Sequence, residues 1–153
     1  MVEIDLIRAE TILCPLKVRN QKQLFLKLAE QAAAQLNIKS DIIFSALLDR
    51  EKLGSTAVGH GVALPHARMA GCAESVAFLA VLDKPLDFDA PDSEPVDLIV
   101  MLIAPEDAGA GHLSLMSRIT RLMRDEALCQ RLRGADTVDA AHAILLEYQQ
   151  DHS

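Results

Sequence analysis

Apolar residues recur at helical spacing at Leu24, Leu28, Ala32 and Leu36, and Asn20 followed three places on by Gln23 is a capped start for that helix. A second helix is predicted from Ser40 or Asp41 through Ile42, Ile43, Ala46, Leu47 and Leu48 to about Leu53, where Gly54 stops it. "GVALPH" (61–66) reads as a short strand. "SVAFLAVLD" and "VDLIVMLIAP" are near-continuous apolar runs of strand length, the pattern of central strands covered on both faces. Between them, "KPLDFDAPDSEP" carries the prolines and acids of a connecting loop.

After Pro105 the segment "EDAGAG" predicts a mobile loop, and "HLSLMSRITRLMRD" places Leu115, Met116, Ile119, Leu122 and Met123 on one helical face. Further helices are expected around Glu126–Arg133 and from Thr137 to Gln149. Helices, then strands, then helices predict an α/β (mixed α+β) architecture, a small sheet covered by helices, in a single domain over 1–153.

Composition narrows the picture. Half of the 153 residues are hydrophobic, yet the chain has only four Phe, one Tyr and no Trp, so its core must be aliphatic. A net charge of −7 without a basic stripe argues against nucleic acid and anionic membrane as partners. Cys14, Cys72 and Cys129 are odd in number, scattered and free of C-x-x-C pairs, which fits a reducing cytoplasm. "MVEIDLIRAE" lacks the form of a signal peptide, and no apolar run is long enough to cross a bilayer.

The chemistry concentrates in "GHGVALPHAR". Pro65 stiffens the backbone beside His66 and removes an N–H donor, so the ring is held on a rigid support. Gly59 and Gly61 would let backbone approach an anion, with Arg50 and Arg68 as sources of positive charge. The competing reading makes the glycines a turn and His66 a core histidine. His60 and His66, if extended, lie about 20 Å apart at roughly 3.3 Å per residue, too far for one metal unless the glycines fold the segment back. Ser55 is outside any G-x-S-x-G elbow, so hydrolase chemistry has little support.

The run "EKLGSTAVGHGVALPHA", Glu51 to Ala67, resembles the signature around the active histidine of the fructose- and mannitol-type enzyme IIA components of the bacterial phosphoenolpyruvate-dependent phosphotransferase system (PTS). "DREKLGST", "PLDFDAPDSEPVDLIVMLIAP" and "HLSLMSRITRLMRD" extend the likeness, in order, to the nitrogen-related branch of that family, over about residues 5–150. The chain departs from the pattern at His60 between the glycines and at Ala67, where glycine is commoner.

The resemblance implies a mannitol-type enzyme IIA fold and a cytoplasmic phosphohistidine carrier. His66 would accept a phosphoryl group from a histidine phosphocarrier protein (HPr or NPr), with His112 as second active-site histidine and Arg50 beside them. Ser55, Thr56, Gly59 and Gly61 are candidate phosphate supports and Arg68 a candidate partner contact; no metal or cofactor is called for. The residues leave other readings open. Arg50 suits a solvated helix end, His112 a first-turn surface residue, and Ser55 and Thr56 the turn after Gly54. The implied output is regulation of target proteins such as potassium transport or sensor kinases. A sugar-specific enzyme IIA passing phosphate to a IIB domain and a binding module that has lost phosphorylation are the alternatives.

Overall fold

The computed structural model describes residues 7–152. Residues 1–6, which carry most of the opening segment read above as neither leader nor anchor, and Ser153 lie outside them. A six-stranded mixed sheet runs in the order β1 (Ile12–Leu16), β5 (Val76–Leu86), β6 (Val96–Pro105), β3 (Val62–Ala63), β2 (Ala57–Gly59), with β4 (His66–Met69) also paired to β6. β5 and β6 are antiparallel, whereas β1 runs parallel to β5, and β3 and β4 run parallel to β6.

Helices α1 (Gln21–Leu36) and α2 (Ser40–Lys52) cover one face; α3 (Gly109–Leu122), α4 (Glu126–Arg133) and α5 (Val138–His152) cover the other. The start of α1 follows its sequence signal: the Gln23 N–H donates to Asn20 Oδ1 at 2.8 Å, and the Arg19 N–H donates back to Gln23 Oε1 at 2.7 Å.

The two faces explain why β5 from Ala77 to Leu82 and β6 from Leu98 to Ala104 are continuously apolar. Along β6, Ile99, Met101 and Ile103 join the core under α1 and α2, while Leu98, Val100 and Leu102 join the core under α3 to α5. A strand with alternate side chains in two dry layers has no polar face to show. The first core closes on Leu24, Phe25, Leu28, Ile43 and Leu47, the second on Leu115, Ile119, Leu128, Leu132 and Leu145. Each such fully buried side chain contributes about 1.5–3 kcal/mol relative to exposure.

Three expectations change. "GVALPH" is not one strand: β3 ends at Ala63 and β4 begins at His66, because Pro65 has no N–H to give the ladder. Register survives the break, since Val62 pairs with Leu98 and His66 with Leu102, and the Leu102 N–H still bonds the Pro65 carbonyl at 3.0 Å. β5 runs on to Leu86, into the segment read as loop, with a register shift between Val81 and Leu86. Finally, α3 starts at Gly109, so the two glycines lie in its first turn. β1 and β2 had no clear periodic signal, being five and three residues long.

Candidate active site

His66 opens β4, and three other elements converge on its ring. α2 ends beside β4, so Arg50 in its last turn reaches the imidazole: Arg50 Nε stands 3.3 Å from His66 Nε2, and Arg50 Nη1 donates to the Gly54 carbonyl at 2.9 Å. On the other side, His66 Nδ1 lies 2.9 Å from the Leu64 carbonyl oxygen. A carbonyl can only accept, so Nδ1 carries the proton and Nε2 keeps its lone pair, aimed at Arg50 and the cleft. The interrupted strand makes this possible, because Leu64, outside both ladders, has a carbonyl free to turn toward the ring.

His112 comes from α3. Its ring centroid lies 5.7 Å from that of His66 at an interplanar angle of 50°. The residue is only 6% exposed, which removes the reading of a plain surface histidine. His112 Nδ1 is sealed and finds no hydrogen-bond partner among the described residues. The ring lines the cleft, so Nε2 is the nitrogen it offers there. The cleft, ≈ 910 Å³, is bounded by Arg50, His66, Arg68, Glu106, His112 and Leu113 among others.

Both imidazoles are held below their ordinary pKa. For His66 the main cause is burial, opposed by the Leu64 hydrogen bond and reinforced by the Arg50 charge; for His112 it is burial, then the charges of His66 and Arg68. The pair is neutral at physiological pH, and one ring is a competent nucleophile. α3 adds the uncapped N–H groups of its first turn, with no side-chain cap from Ala108, and its positive dipole end.

Four sequence-predicted residues are not brought into this cleft. Ser55 Oγ donates to the Phe88 carbonyl at 2.6 Å and accepts from the Ala57 N–H, and Thr56 Oγ1 donates to Glu51 Oε1 at 2.7 Å. Both hydroxyls are committed to shaping the turn after α2. Gly59 and Gly61 flank the β2–β3 turn, where His60 adopts φ 56°. A methyl added at Gly61 would stand 2.6 Å from Arg133 Nη2, which holds the His60 carbonyl. Gly61 accepts from Asp97 and Leu98, whereas His66 pairs with Leu102, roughly 15 Å further along β6 at ~3.3 Å per residue. The glycines serve the turn. Arg68 is exposed and lines the cleft, as do Asp49 and Glu106, which sequence reasoning did not single out, and half-buried Met116, which its periodicity placed on the apolar face of α3. Nothing in the local sequence marks the two acids for the cleft; only the packing of α2 and α3 around β4 brings them there.

Residues 5–148 match the family model of the phosphoenolpyruvate-dependent sugar phosphotransferase system, EIIA 2. A nitrogen regulatory protein of Bradyrhizobium diazoefficiens is 43% identical over 141 residues, 92% of each chain. The crystal structure of nitrogen regulatory protein IIA-Ntr from Neisseria meningitidis superposes with a TM-score of 0.86 at 31% identity, covering 93% of this chain and 97% of that one. Mannitol IIA from Escherichia coli, at 21% identity and TM-score 0.76 over 90% of this chain and 97% of that one, shares the fold. The chain belongs to the type-2 enzyme IIA family of the phosphotransferase system and, within it, to the nitrogen-regulatory branch. No helix among the described residues is long and apolar enough to cross a membrane.

Proposed function

We propose that this protein is a cytoplasmic phosphohistidine carrier whose acceptor atom is His66 Nε2, loaded by a histidine phosphocarrier protein (HPr or NPr), and whose phosphorylation state governs its binding to regulatory targets. The observation that carries this reading is the ring's polarity: Nδ1–H is tied to the Leu64 carbonyl, leaving the Nε2 lone pair beside Arg50 in an open cleft. In the transfer, the Nε2 lone pair forms a bond to phosphorus as the donor's P–N bond breaks, and that bond's electrons return to the donor imidazole. The proton stays on Nδ1 throughout, hydrogen-bonded to the Leu64 carbonyl.

Such a transition state is loose, and its needs are alignment and positive charge around three equatorial oxygens. Arg50 moves from the lone pair it faces in the free protein onto those oxygens, His112 Nε2–H donates to one of them, and the α3 N-terminus adds its dipole. Arg68 supplies further positive potential at the rim. A protein donor suits the entrance, because Leu53 and Leu113 flank the cleft 84% and 70% exposed, leaving apolar surface to be covered on docking. The branch assignment favours regulation of proteins such as potassium transport or sensor kinases over sugar uptake.

Incubation with phosphoenolpyruvate, its kinase and a histidine phosphocarrier should give an acid-labile phosphate that His66→Ala abolishes. Label persisting in that variant would overturn the acceptor. Mass spectrometry of proteins captured by the wild type and by His66→Asp should reveal partners that discriminate between the two; identical sets would reject state-dependent regulation.

A further inference from the structure

Resting on the phosphoryl-transfer reading above, we propose that Glu51 is a positioning residue whose clasp on Thr56 fixes two backbone carbonyls, that of Gly54 holding Arg50 and that of Leu64 holding the His66 ring. Glu51, in the last turn of α2, grips Thr56 twice: Oε2 accepts the Thr56 N–H at 3.0 Å and Oε1 accepts its hydroxyl at 2.7 Å. Thr56 is 5% exposed, so both bonds are shielded from competing water.

The clasp closes the loop from α2 to β2, and the two carbonyls lie on either side of it. Gly54, within that loop, presents the oxygen that takes Arg50 Nη1 and turns Nε toward His66. Beyond Thr56 the chain enters β2, and the Thr56 carbonyl accepts the Leu64 N–H at 3.0 Å. That bond fixes the Ala63–Leu64 peptide, and the next one along, Leu64–Pro65, carries the carbonyl that receives His66 Nδ1–H. One carboxylate therefore anchors the guanidinium and, through two successive peptide groups, selects which imidazole nitrogen is free. Neither hold involves contact between Glu51 and the reacting atoms.

Gly54 makes the arrangement necessary. At φ 152° it is followed by Ser55, and no side chain of its own stiffens the turn, so an external tie must set where its carbonyl points. Ser55 supplies a second tie, to the Phe88 carbonyl at 2.6 Å, but from the far side of the loop.

The test reads the His66 tautomer by ¹⁵N NMR in the full chain, alongside single-turnover phosphoryl transfer. Glu51→Ala should shift His66 from the Nδ1–H form toward a mixture of tautomers and slow transfer by roughly ten-fold through misplacement of Arg50 and the ring. Glu51→Gln can still accept from the Thr56 N–H and donate to its hydroxyl, so it should keep the wild-type tautomer and stay within about two-fold of the wild-type rate. Because the Glu51 charge also acts on His66 through space, equal effects of Gln and Ala would assign the role to charge and overturn the clasp. If Glu51→Ala does not fold, Thr56→Val, which deletes the hydroxyl alone, should move the tautomer in the same direction, and an unchanged spectrum there would overturn the proposal. The tautomer is read without any phosphoryl donor, so a wild type that takes no phosphate would sink the carrier reading while the clasp is judged on the spectrum.

Discussion

The rings of His66 and His112, tilted by 50° with centroids 5.7 Å apart, leave no room for two full positive charges. Protonating one raises the cost of protonating the other, and burial already disfavours both cations. In an NMR titration both imidazoles should protonate below the ordinary histidine value of about 6.5. His66→Ala should move the His112 midpoint upward by removing the neighbouring charge and admitting water. A His112 midpoint unchanged in that variant would show that the rings do not interact.

The same depression has a sign for stability. Each histidine binds its proton more readily in the unfolded chain than in the folded one, so its contribution is present above about pH 6.5 and is lost as pH falls through the lowered folded values. Urea unfolding from pH 7.5 down to 5 should show wild-type stability falling more steeply than that of His112→Asn, which has no proton to take up. Parallel curves would contradict the depression at His112.

Arg50→Ala should slow phosphoryl transfer by about a hundred-fold, the order expected when one charge-stabilising donor is lost. Arg50→Lys should rescue it only in part, because a point charge cannot hold the Gly54 carbonyl and face the phosphoryl group with a planar fork. The circular dichroism melt should move little, since the side chain is only half-buried at a helix end. Wild-type transfer in Arg50→Ala would remove this arginine from the mechanism.

Gly61→Ala separates the turn from the site. With φ 78° and a new methyl 2.6 Å from Arg133 Nη2 and 3.1 Å from Asp97 Oδ1, it should cost on the order of 1–3 kcal/mol in denaturant unfolding. Labelling of the folded variant should be unaffected. Slowed labelling would return this glycine to the neighbourhood of the phosphoryl group.

Asn20→Ala should destabilise by about 1 kcal/mol, because the Gln23 N–H it caps is left without a partner at the start of α1. A change below a few tenths would mean that Gln23, which bonds back to Arg19, holds the turn unaided.

What the sequence could reveal followed the strength of each local signal. α1 and α4 begin where their caps lie, at Asn20 and Asp125, because a side-chain oxygen three residues before a backbone N–H is a feature of neighbouring residues only. β6 was legible because two dry faces leave an unbroken apolar run. His66 stood out beside Pro65, whereas Arg50 and His112, outside the motif, were named only through the family resemblance; the fold places both beside the ring. Ser55 and Thr56 misled, because a hydroxyl in a motif looks the same whether it faces a ligand or, as here, the Phe88 carbonyl and the Glu51 carboxylate. Gly59 and Gly61 misled for a related reason. Closeness to His66 along the chain became separation along the sheet once β2 and β3 folded into a hairpin and β3 paired with β6.

The break at Leu64 and Pro65 gives the chain a counting rule. β3 and β4 keep one common offset against β6 across the gap, so exactly two linking residues deliver the imidazole to the layer shared with α3. Side chains alternate between layers, and losing either residue would turn position 66 over into the Phe78 and Met101 layer beneath α1 and α2. The linker's identity is open to exchange wherever a carbonyl can still meet the ring, but its length is as fixed as the acceptor itself.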